Sequence, residues 1–64
     1  MKVNGKDRAW EAGMTVQSLL CALGHDPQRV AVERNGQIVP RARFADEALQ
    51  DTDTVEIVQF VGGG

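Results

Sequence analysis

The chain predicts an α+β fold in which one helix lies across a mixed sheet of four to five strands. Three observations predict it. Two Asn-Gly pairs, Asn4-Gly5 and Asn35-Gly36, sit between β-prone segments as two-residue hairpin turns do. A single apolar stripe at helical spacing separates them. A run rich in β-branched residues, Val55 to Val61, precedes the closing glycines.

The elements follow in order. Met1 to Val3 reads as a strand with Met1 and Val3 inward and Lys2 outward. Asn4-Gly5 turns the chain, and the partner strand is expected over Lys6 to Glu11, with Trp10 facing the core opposite Ala9 and Glu11. Beyond Gly13 the period changes. Val16, Leu19, Leu20 and Leu23 fall at i, i+3, i+4 and i+7, one face of a helix of about nine residues. Thr15 is its N-cap, Met14 its hydrophobic staple against Leu19, and Gly24 its left-handed terminator, with Pro27 shortly beyond.

Val30 to Arg34 is the next strand, and Asn35-Gly36 turns it into Gln37-Ile38-Val39, which Pro40 keeps short because it donates no ladder hydrogen bond. Arg41 to Leu49 reads as an irregular crossing with a helical turn around Ala45 to Ala48. Asp51-Thr52-Asp53 is a turn, and Val55 to Val61 is the last strand. Pairing the first strand with the last is the natural way to cover Leu19, Leu20 and Leu23. This ββαββ order is the β-grasp arrangement of ubiquitin-like proteins. Residues 1–61 are expected to form the domain and residues 62–64 a flexible glycine tail.

Composition excludes several function classes. At 64 residues the chain makes one domain, and folded chains of this size bury only roughly 60% of the surface their unfolded form exposes. Such a core leaves little room for a preformed catalytic cavity. Seven basic and nine acidic residues give a net charge of −2, which offers no basic stripe for nucleic acid. No apolar run approaches a membrane span, and the N-terminal residues lack the apolar core of a signal peptide, so the chain reads as cytoplasmic. One cysteine and one histidine provide no metal-ligand spacing.

The candidate working part is the end of the chain. Gly62-Gly63-Gly64 places a carboxylate on a stalk without side chains, and three extended residues reach roughly 10 Å. The α-carboxylate is ionised at neutral pH. By strand alternation, Val55 and Ile57 face the helix, while Val58 and Phe60 point the other way beside Val61 as a candidate docking surface. Phe60 has a competing place under the Arg41 to Leu49 crossing. Asp46, Glu47, Asp51, Asp53 and Glu56 lie in a stretch without Lys or Arg that could steer a basic partner or form a solvated turn. Cys21 lies away from the apolar helix face and reads as a tolerated surface residue. His25, just past the helix, would complement its dipole as a cation.

Val3-Asn4-Gly5, Gly13-Met14-Thr15-Val16-Gln17-Ser18-Leu19-Leu20, Val32-Glu33-Arg34-Asn35-Gly36, Ile38-Val39-Pro40-Arg41 and the stretch from Val55 to Gly64 together resemble the ThiS family, the sulfur carriers of thiamine biosynthesis. The resemblance runs along the whole chain. It implies a carrier without catalysis of its own and without a bound cofactor. Its Gly64 carboxylate would be adenylated by a ThiF-type adenylyltransferase using ATP and Mg²⁺. A sulfur donor such as a cysteine desulfurase persulfide would then convert it to a thiocarboxylate, leaving a 1-thioglycine at Gly64. That sulfur would pass to the thiazole synthase ThiG. Gly63 and Gly64 match the family's two terminal glycines, and Gly62 is an additional one.

Two other readings share parts of this pattern. The molybdopterin synthase small subunit has the same fold and ending, but the compact loop from His25 to Arg29 argues against it. A ubiquitin-like modifier or interaction module that carries no sulfur is the third. Lys2 and Lys6 are the only lysines available to it for chain building.

Overall fold

A computed structural model describes residues 1–61. Five strands form one sheet: β1 (Lys2–Val3), β2 (Lys6–Asp7), β3 (Val30–Arg34), β4 (Gln37–Ile38) and β5 (Thr54–Gln59), with one helix, α1 (Val16–Leu23), between β2 and β3. The order across the sheet is β2-β1-β5-β3-β4, so the first and last strands pair at its centre. They run parallel, with Val3 opposite Val55, and every other neighbouring pair is antiparallel.

Both Asn-Gly turns form as their composition dictates. Asn4 and Gly5 have φ of 51° and 81°, and Asn35 and Gly36 have 52° and 83°, the left-handed values a type I′ turn needs at both central positions. Helix α1 is capped at both ends. Thr15 Oγ1 accepts from the Ser18 N–H at 3.1 Å while Ser18 Oγ accepts from the Thr15 N–H at 2.9 Å, a reciprocal box with serine at the third position. Gly24 adopts φ 78°, and the His25 N–H reaches back to the Leu20 carbonyl at 2.9 Å, which closes a Schellman motif.

The core comprises Val3, Val16, Leu19, Leu20, Val30, Val32, Val39, Phe44, Leu49, Val55 and Ile57, with Met1, Trp10, Met14 and Leu23 partly buried against it. Phe44 comes from the crossing segment, which does more than connect. Its carbonyls at Phe44 and Glu47 accept the N–H groups of Gln17 and Val16, both at 3.0 Å, satisfying donors that the first turn of α1 cannot pair internally.

Four expectations need correction. The second strand ends at Asp7, not Glu11, and its last rung joins the Arg8 N–H to the Met1 carbonyl at 2.8 Å. Trp10 therefore leaves the sheet and donates its indole N–H to the Leu49 carbonyl at 2.8 Å. The helical turn in the crossing spans Arg41–Arg43, directly after Pro40, whose fixed φ suits the entry to a helical turn. A further short 3₁₀ turn at Pro27–Arg29, capped by Asp26, was not expected from the sequence. Because the chain turns there, β5 loses its partner past Arg29. The Phe60 N–H still reaches the Arg29 carbonyl at 2.8 Å, but Val61 lies beyond the strand.

Candidate docking face and tail exit

The glycines expected to do the chemistry, Gly62, Gly63 and Gly64, lie outside the described residues. What the fold positions is their point of departure at the end of the central strand. Strand β5 is held there from both sides. On one side, Asn4 Oδ1 accepts from the Ile57 N–H at 2.7 Å and Asn4 Nδ2 donates to the Ile57 carbonyl at 3.2 Å, extending the β1 edge beyond Val3 by means of a side chain. On the other, the Arg29 carbonyl receives Phe60, and Arg41 steadies this segment. Arg41 Nε donates to the Pro27 carbonyl at 2.8 Å, and its Nη2 to the Val30 carbonyl at 3.3 Å.

Along β5 the alternation is as expected: Val55 and Ile57 are buried toward α1, and the next side chains face away. Val58 is 60% exposed, Phe60 54% and Val61 98%. Phe60 is thus not covered by the crossing, which lies against the helix start and buries Phe44 instead. Ile38, 65% exposed, belongs to the same face through its pairing with Glu33. Sequence reasoning missed Ile38 because a two-residue edge strand gives too little alternation to assign a side.

The acidic stretch does not form one surface. Asp53 is only 4% exposed. Its carboxylate accepts from Arg34 Nε at 2.8 Å, Asn35 Nδ2 at 2.9 Å and the Gln50 N–H at 2.7 Å. Burial works to push the Asp53 carboxyl up, but these hydrogen bonds and the charge of Arg34 outweigh it and hold it below the usual carboxylate range. The same contacts raise Arg34. Glu47 joins them through Arg34 Nη1 at 3.1 Å and Arg43 at 3.6 Å, and Asp51 meets the Met1 amino group at 3.3 Å. Among the described residues Asp46 and Glu56 have no ion-pair partner.

Among the described residues no group of three or more His, Cys, Asp or Glu side chains is placed to hold a metal ion, and no helix is long and apolar enough to cross a membrane. Cys21 is exposed, as expected, and the half-buried His25 follows the end of α1.

Comparison with known proteins agrees with this geometry. A model of the ThiS family matches residues 1–64. A thiazole synthase of Paramagnetospirillum magneticum is 52% identical over 62 residues, which cover 97% of this chain but only 19% of that protein. The chain thus spans about a fifth of such relatives. The sulfur carrier protein ThiS of Bacillus subtilis is 42% identical across the whole chain and 98% of its own length. The crystal structure of the thiamine biosynthesis protein ThiS from Geobacter metallireducens superposes with a TM-score of 0.80 at 36% identity, covering 98% of this chain and 96% of that one.

Proposed function

The chain belongs to the ThiS family, and from that premise we propose that it is a sulfur carrier of thiamine biosynthesis that works through Gly64. It is a co-substrate and not a catalyst. The observation that carries this reading is the central strand β5, pinned on both flanks and ending at Gln59, with only Phe60 and Val61 between it and the glycines in sequence. A rigid base and a slim tail let the reacting carboxylate reach into a partner's site while the domain stays outside it.

Activation belongs to the partner. A ThiF-type adenylyltransferase joins the Gly64 carboxylate to the α-phosphate of ATP and releases pyrophosphate, with Mg²⁺ neutralising phosphate charge. Attack of the terminal sulfur of a donor persulfide on the carbonyl expels AMP and forms an acyl disulfide, whose S–S bond a second thiol then cleaves, leaving a thiocarboxylate at Gly64 and a disulfide between that thiol and the donor. A cysteine desulfurase persulfide is the expected donor. The thiocarboxylate then delivers its sulfur to thiazole synthase, a partner supported by the relatives in which a matching segment lies within a longer chain of that name. This chain contributes reach, recognition through Val58, Phe60 and Val61, and a backbone at Gly62, Gly63 and Gly64 free of side-chain bulk.

The test is reconstitution. Thiazole formation by thiazole synthase, with the adenylyltransferase, ATP and a sulfur donor present, is expected to require this protein, and to stop when the tail is removed after Val61. Turnover that continues with the shortened chain would contradict the reading.

A further inference from the structure

The sheet face turned away from α1 carries an arrangement that the tail chemistry leaves unused. Glu33 of β3 and Glu56 of β5 are direct cross-strand partners. Since their neighbours Val32 and Ile57 are buried toward the helix, both carboxylates stand on the opposite face. Like charges directly opposite one another destabilise a sheet. Among the described residues no cation forms an ion pair with either: Lys2 pairs with Asp7, Arg29 with Asp26, Arg34 with Asp53 and Glu47, and Arg43 with Glu47, Arg41 donates to carbonyls, and neither Lys6 nor Arg8 pairs with Glu33 or Glu56.

The pair lies within apolar surface. Ile38 stands directly beside Glu33 on β4, and Val58 and then Phe60 follow Glu56 on the same side of β5. A partner laid over these three side chains would also strip water from the two carboxylates. That is costly unless the partner supplies positive charge within hydrogen-bond reach. Cross-strand partners have Cβ atoms about 4.5 to 5.5 Å apart, a spacing that one guanidinium fork can bridge.

We propose that this face docks on thiazole synthase, which places a cationic side chain, arginine by preference, between Glu33 and Glu56. The inference rests on the carrier reading and on the relatives that hold a matching segment within a thiazole synthase. The tail leaves the strand that bears Glu56, so a partner that admits Gly64 meets this face as well.

The test measures the dissociation constant between the uncharged carrier and the thiazole synthase of the same organism, by calorimetry at low and high salt. The double variant Glu33→Gln/Glu56→Gln is compared with Glu11→Gln/Asp46→Asn, which removes the same charge from exposed positions elsewhere. The first pair is expected to weaken binding about tenfold or more, to flatten its salt dependence and to melt no lower than the unaltered protein. The second is expected to change affinity less than about twofold. Equal weakening by both pairs, unchanged affinity in the first, or no association of the unaltered protein would each overturn the proposal. Because the carrier is uncharged in this assay, loss of thiocarboxylate formation at Gly64 would remove the carrier reading separately. A carrier that is charged with sulfur yet never associates would remove only this inference.

Discussion

The side-chain amide of Asn4 makes both main-chain hydrogen bonds of Ile57, accepting from its N–H at 2.7 Å and donating to its carbonyl at 3.2 Å. Strand β1 ends at Val3, so without this amide the edge of β5 would stand open two residues before the tail exit. The left-handed φ of 51° that the hairpin needs is also one that asparagine tolerates. One residue thus turns the chain and anchors the strand that leads to the glycines. Asn4→Gly keeps the turn and removes the amide. It is expected to lower unfolding free energy by about 1 to 3 kcal/mol, from two hydrogen bonds, as read by urea denaturation.

Phe44 is 2% exposed and fills the space between the crossing and the start of α1. Phe44→Ala is expected to cost about 3 to 5 kcal/mol, which removes much of the stability a 64-residue domain has. A thermal melt within a few degrees of the unaltered protein would show that the crossing is not part of the core.

Asp53 predicts an acid-dependent stability with a definite sign. Its folded-state pKa lies below the ordinary carboxylate value of about 3.9, so its contribution is present above that value and is lost as pH falls through the folded pKa. At neutral pH, Asp53→Asn is expected to be less stable by about 2 kcal/mol or more, since it weakens contacts to Arg34 and Asn35. That gap should narrow below about pH 4. Melts at a series of pH values check it, and a gap that widens with acid would contradict the assignment.

Phe60 and Val58 separate docking from folding. Both are more than half exposed, so Phe60→Ala and Val58→Ala are expected to shift stability by under about 0.5 kcal/mol. Each should weaken association with the adenylyltransferase or thiazole synthase by about 1 kcal/mol or more. A drop in melting temperature with unchanged binding would make them structural residues.

The parts of the fold readable in the sequence are those set by local chemistry. The Asn-Gly turns, the stripe Val16, Leu19, Leu20 and Leu23, the cap at Thr15 and the glycine at 24 each carry their reason within a few residues. Asp53 shows the opposite case. In the sequence it is one acid among five near a turn, and its burial follows from Arg34 and Asn35, residues brought beside it only when β3 pairs with β5. Phe44 was hidden likewise, because an irregular segment has no period to reveal an inward side. Of the site, the side chains of β5 were legible by alternation. Asn4, Arg41, Ile38 and the opposition of Glu33 to Glu56 depend on strand register, which no short stretch of sequence states.

The carrier reading is tested most directly by mass analysis of the C-terminal peptide after incubation with the adenylyltransferase, ATP and a sulfur source. The expected result is the mass gain of one oxygen-to-sulfur exchange, confined to Gly64 and absent from Gly64→Ala and from a chain extended by one residue, both of which remain folded. A peptide of unchanged mass, or the same gain in either altered chain, would contradict it.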